Sequence, residues 1–165
     1  LACDDELLAK MESRKVREDG TFEGCVLPPK CSRVLLCVSW LVPFSSLYGF
    51  SRGYFDLGLA SACVFVTSVN YWREPKYGWR RSVDIVTVHL VAIYQWMRSL
   101  DSPNVMLFNA LFLAGVLMFV AGCAVYHPKR VWASTLLHMG CHLLGNASNL
   151  VLYASDVEKV TDAWF

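Results

Sequence analysis

Five apolar stretches, each near the length that crosses a lipid bilayer, follow one another with almost no chain between them. A crossing helix needs roughly 20 predominantly apolar residues. The stretches fall at about 34–50, 54–72, 82–100, 104–126 and 131–153, and the links between them are SRGYFD, REPKYGWRR, DSPN and HPKR. Links this short make consecutive helices antiparallel neighbours. The spacing therefore predicts an all-α integral membrane helical bundle of about five transmembrane helices. Pro43 lies inside the first stretch, where its missing N–H predicts a kink. Composition agrees: 55% of the 165 residues are hydrophobic and 18% are charged, against about 25% charged in an ordinary soluble domain.

Outside the stretches the chain is polar. Residues 1–33 form an N-terminal arm with Asp4, Asp5 and Glu6 early, Arg14, Lys15 and Arg17 late, and Gly20 beyond them. That charge order suits the helix macrodipole and ends on a glycine. It predicts a short amphipathic helix lying on the membrane or on a partner, and Pro28-Pro29 then breaks the chain before the first stretch. Residues 154–165 are a short polar tail. Beginning with Leu1, the chain is expected to be a processed product or a fragment. A net charge of +1 offers nothing to nucleic acid. Of the seven cysteines, Cys37, Cys63, Cys123 and Cys141 sit in apolar runs, and no Cys-x-x-Cys motif occurs, so the thiols spell neither a zinc ribbon nor a redox centre.

Basic residues set the orientation. Lys30, Arg33, Arg73, Lys76, Arg80, Arg81, Lys129 and Arg130 flank one end of the stretches, and Arg52, Arg98 and Lys159 flank the other. The positive-inside rule then puts the N-terminus on the cytoplasmic-equivalent side and the C-terminus opposite. Trp72, Tyr77, Trp79, Trp96, Tyr126, Trp132 and Tyr153 fall near the ends of the stretches and are expected to form aromatic belts.

The fifth stretch carries the chemistry. His138 and His142 are four apart, so on a helix they project from one face. Polar and ionisable groups inside a membrane are costly unless partnered, and mark candidate sites. At 1.5 Å per residue, His138 and His89 both lie roughly 10 Å in from the positive side, with Ser68 at roughly 6–8 Å and Asp84 at roughly 3 Å. Three imidazoles plus a water suit a catalytic zinc. The expected metal ligands are therefore His138, His142 and His89, with Asp84 as acid–base or supporting group and Ser68 as the polar helper, both catalytic candidates. In the other half, Gln95, Asn109, Asn146 and Asn149 form an amide layer expected to bond across helices, and Gly140, Gly145 and Ala147 are expected to let helices approach closely.

A serine late in one helix, an aspartate early in the next and His-x-x-x-His in the last resemble the CREST membrane hydrolases, the superfamily of alkaline ceramidases and progestin/adiponectin-type receptors. The matching residues are Ser68, Asp84, His138 and His142. The resemblance implies an intramembrane zinc site that hydrolyses a lipid amide or ester. Two features depart from it: that superfamily has seven helices, and it keeps a third zinc histidine just after the serine, where this chain reads Asn70-Tyr71-Trp72.

Two other classes stay open. His89 and His138, at one depth on different helices, are a candidate axial pair for a b-type haem, and a lone lipid-facing histidine can ligate chlorophyll magnesium. Alternatively, the chain is a small accessory subunit of a larger bioenergetic or photosynthetic membrane complex, with structural histidines. The expected partners are membrane lipids and other membrane subunits.

Overall fold

The computed structural model describes residue 21 and residues 24–158. The arm helix expected before Gly20 and the end of the tail lie outside them. The described residues fold into six α-helices: α1 (Pro29–Ser39), α2 (Val42–Ser51), α3 (Phe55–Trp72), α4 (Trp79–Ser99), α5 (Val105–Val125) and α6 (Val131–Ala154), with a 3-10 turn at Pro128–Arg130 before the last. An isolated antiparallel bridge, Cys25 to Lys76, lies outside the helices. The protein is all-helical among the described residues.

Local chemistry explains the boundaries. Pro29 opens α1 at a position where a missing N–H costs nothing. The first apolar stretch is two helices rather than one kinked rod, broken at Trp40-Leu41. Pro43 sits in the first turn of α2, where proline starts a helix and cannot continue the preceding one. The helical region begins at Pro29, ahead of the expected position 34, because the proline pair initiates α1 as it ends the arm. Gly53, at φ +80°, makes the turn between α2 and α3, a backbone conformation glycine adopts without strain.

Helix α6 is the hub. It packs on α5, α1 and α2, while α3 packs on α2, α1 and α4. Two apolar clusters sit at opposite ends. One joins Leu27, Cys31, Leu35, Tyr71, Trp72 and Val131, and the other Tyr54, Leu57, Phe108, Leu152, Tyr153 and Val157. Helices α4 and α5 are joined by the short link from Leu100 to Asn104 but make little contact with each other.

The polarity of the bundle is reversed relative to a water-soluble one. Ser39, Ser45, Ser61, Ser68, Asp84, Gln95, Ser99, Thr135 and Ser148 are buried. Outside, Leu90 and Ile93 of α4 and Met106, Leu113 and Leu117 of α5 are all more than half exposed. Two segments are long and apolar enough to cross a membrane: Pro29–Ser51 and Val105–Val125.

The aromatic belt is only partly as expected. Tyr77, Trp79, Trp96, Tyr126 and Trp132 are exposed, but Trp72 and Tyr153 are buried at 5% and 0% exposure. Both sit at helix ends, yet their faces turn inward, and each closes one of the two apolar clusters.

Candidate functional site

The histidine pair forms as the spacing requires. The rings of His138 and His142 stack one turn apart on α6, with centroids 5.1 Å apart and 36° between planes. Two other helices complete the enclosure. Trp72, the last residue of α3, meets His138 edge-on at 5.3 Å, and Phe119 of α5 meets it from another direction at 5.4 Å. His142 Nε2 is buried and has no hydrogen-bond partner among the described residues, and neither has the Trp72 indole N–H.

Close approach of α5 makes this possible. A Cβ at Gly122 would lie 3.3 Å from the Ser134 carbonyl and 3.7 Å from the His138 nitrogen, so glycine lets the backbones meet there without either having to shift. Ser134 Oγ donates to the Gly122 carbonyl at 2.8 Å across the same contact. At Gly140 a Cβ would run into the Met118 thioether, while Gly145 has nothing within 4 Å. The glycine placed tightest against backbone at this contact is therefore Gly122 of α5. Sequence reasoning looked for such residues on α6 alone.

Ser68 and Asp84 do come together. Ser68 Oγ donates to Asp84 Oδ1 at 2.7 Å, and Thr67 Oγ1 donates to the same oxygen at 3.1 Å. Ser68 and Asp84 are 1% and 7% exposed. Ser68 is one helical turn before Trp72, so the serine–aspartate contact and the histidine pair lie along one seam, with the indole between them.

His89 does not join them. It is exposed on the outer face of α4, and its Nδ1 lies 2.7 Å from the Ile85 carbonyl. A carbonyl only accepts, so Nδ1 is the donor in this contact. No group of three or more His, Cys, Asp or Glu that could hold a metal ion occurs among the described residues. The spacing argument had matched depth and not direction. Five residues along a helix turn a side chain about 140°, so Asp84 faces α3 while His89 faces outward.

Among the described residues the histidine pair falls short of a zinc ligand set. A catalytic zinc needs three protein ligands and a structural one four, whereas two imidazoles edged by an indole and a phenyl ring supply two. His89, the expected second axial ligand of a haem, is exposed on α4, while His138 packs against Trp72 and Phe119.

The amide layer is a network with different members. Gln95 Nε2 donates to Tyr153 Oη at 2.8 Å and to Ser61 Oγ at 3.3 Å, and Ser61 and Tyr153 share a bond at 2.7 Å. Asn146 accepts from Ser45 Oγ at 3.1 Å and donates to the His142 carbonyl at 3.0 Å. Asn109 and Asn149 take no part. A second polar node joins Asp56, which accepts from Tyr94 Oη at 2.5 Å and Arg98 Nε at 3.0 Å, while Arg98 Nη2 reaches the Glu158 carbonyl at 2.6 Å. Sequence reading missed Ser45, Ser61, Tyr94, Tyr153 and Asp56. The available signal was depth: Ser61 and Gln95 lie at similar distances from the ends of antiparallel neighbours.

Compared with protein-family models, curated proteins and solved structures, the chain matches none.

Proposed function

We propose that this chain is a five-span membrane protein that works as a small non-catalytic subunit of a larger membrane assembly. Taking α1 and α2 as one broken span, each span has the length to cross. The 21 residues of α4 and of α5 each rise about 31 Å. The reversed polarity supports immersion of the whole bundle, because in lipid the outward face must be apolar and the polar groups must bond inward. In that setting the positive end is the cytoplasmic-equivalent one.

The observation that carries the subunit reading is the open seam between α4 and α5. Consecutive helices with so short a link ordinarily pack together. Here α4 leans on α3 and α5 leans on α6, leaving apolar flanks of both uncovered by the chain. Further helices of a partner fit such a seam. The enclosed histidines then act as packing elements of the hub.

A second reading keeps a divergent CREST-like hydrolase, and the Ser68–Asp84 hydrogen bond favours it, since these two residues carry the resemblance. It needs a third ligand at the place Trp72 occupies.

Mild detergent extraction followed by native sizing tests the proposal. The expected outcome is a stable particle much larger than the single chain. A monodisperse single chain carrying stoichiometric zinc would replace the subunit reading with the hydrolase one. An absorption spectrum on the same material checks for haem or chlorophyll.

A further inference from the structure

A cleft of about 190 Å³ opens at the positive end of the bundle, between the start of α1 and the loop that follows α3. Arg33 of α1 and Arg73 of the loop both line it, together with Ser32, Trp72 and Glu74. Its walls are fixed. Val26 N donates to the Pro75 carbonyl at 2.8 Å, and Cys25 bridges to Lys76, so residues 25–27 are laced to the loop. Cys31, Trp72 and Leu27 anchor the same walls in one apolar cluster.

The charges in this cleft are unbalanced. Glu74 is already engaged, by Lys76 at 2.5 Å and by Arg80 at 3.6 Å. Arg33 and Arg73 make no ion pair among the described residues. Among the described residues lining the cleft, two guanidiniums thus stand beside one carboxylate that is already paired. A planar guanidinium offers paired donors that match phosphate oxygens. The first turn of α1 lies on the cleft wall, so its dipole adds positive potential. Trp72, buried at 5% exposure, forms part of the cleft's apolar wall. Tyr77 of the same loop and Trp79 at the start of α4, 65% and 67% exposed, follow, where aromatic side chains mark the headgroup level of a membrane.

We infer that this cleft binds a phosphate group through Arg33 and Arg73. The phosphate is carried by an anionic phospholipid or is free, and the placement at headgroup level rests on the membrane reading above.

The test uses the full chain in nanodiscs of phosphatidylcholine, alone or with phosphatidic acid. Native mass spectrometry reads the retained lipid, and calorimetry follows inorganic phosphate added to the phosphatidylcholine discs. Phosphatidic acid is expected to be retained over phosphatidylcholine by at least about tenfold, the scale of one charge-assisted pair. Arg33→Gln with Arg73→Gln removes that preference, and Lys129→Gln with Arg130→Gln, at the same end, keeps it. Phosphate binding without lipid preference, lost in the Arg33/Arg73 variant, upholds the cleft and assigns it to free phosphate. No preference and no phosphate binding by the unaltered chain overturns the inference, as does a preference that survives the double substitution. If the glutamine pair does not fold, Arg33→Lys with Arg73→Lys takes its place, with partial loss expected because the fork is gone and the charge stays; undiminished binding overturns the inference. A chain that stays soluble without detergent removes the membrane reading alone, and the phosphate titration then decides the cleft in solution.

Discussion

Tyr153 shows what one buried hydroxyl holds together. It bonds Gln95 of α4 and Ser61 of α3, and donates to the Leu57 carbonyl at 3.2 Å. Tyr153→Phe leaves the Gln95 amide and the Ser61 hydroxyl short of a partner, at a cost of about 1–2 kcal/mol. Thermal unfolding in detergent followed by circular dichroism measures it, and an unchanged midpoint would show the network to be dispensable. His142 behaves in the opposite way. Its Nε2 has no partner among the described residues, so His142→Leu is expected to leave stability unchanged or raise it by about 1 kcal/mol, since an unsatisfied polar atom is removed. A loss of stability together with bound metal would instead support the hydrolase reading. The pairing of His138 with His142 was legible in the sequence because it is local: four residues on one helix put two rings on one face. The Trp72 and Phe119 walls were not legible, because they arrive from two other helices whose rotation no spacing in α6 encodes.

Among the elements, α5 and α6 form the tightest pair, and glycines decide their distance. Gly122→Val places branched carbons against the Ser134 carbonyl, where even one Cβ lies at 3.3 Å. Backbone cannot yield as a flexible side chain does, so the expected cost is about 2–3 kcal/mol. The same unfolding assay reads it, and Gly145→Val serves as the comparison, because Gly145 has open space around it. Equal effects would refute the assigned interface. Gly58, whose added Cβ would meet the Phe50 ring at 2.8 Å, plays a similar part between α2 and α3. Three helices were legible almost to the residue: Phe55–Trp72 against 54–72, Val105–Val125 against 104–126, and Val131–Ala154 against 131–153, while the helix expected at 82–100 starts three residues early, at Trp79. Long apolar runs between polar links define their own ends. The first run was read as one kinked helix because proline within a helix and proline at the start of a new one look alike in sequence. The difference lies in whether Trp40 and Leu41 continue the helix.

For the whole molecule, the decisive question is which ends share a side. Single cysteines placed at Lys76 and at Asp101, both exposed, with the other thiols replaced, are expected to label from opposite faces of sealed vesicles. Labelling of both from one face would sink the five-span arrangement and leave fewer crossings. The open α4–α5 seam adds a second expectation at this scale. Leu90→Arg with Leu117→Arg, both on uncovered faces, should weaken co-purification of partner chains while Tyr153 and its network stay intact. A charge on a lipid-facing position costs about 2–3 kcal/mol, so the comparison is Leu136→Arg, exposed on α6.

By itself the sequence determined the helical class, the order and length of the helices, the charge difference between their ends, and the local stacking of His138 on His142. These follow from hydrophobicity and helical period, which act over one element at a time. Only the tertiary structure decided which polar groups meet. Ser68 reached Asp84, while His89 turned outward and Trp72 turned in. Depth along a helix is additive in sequence, but direction around it is set by the neighbours each helix packs against, and that is a property of the whole bundle.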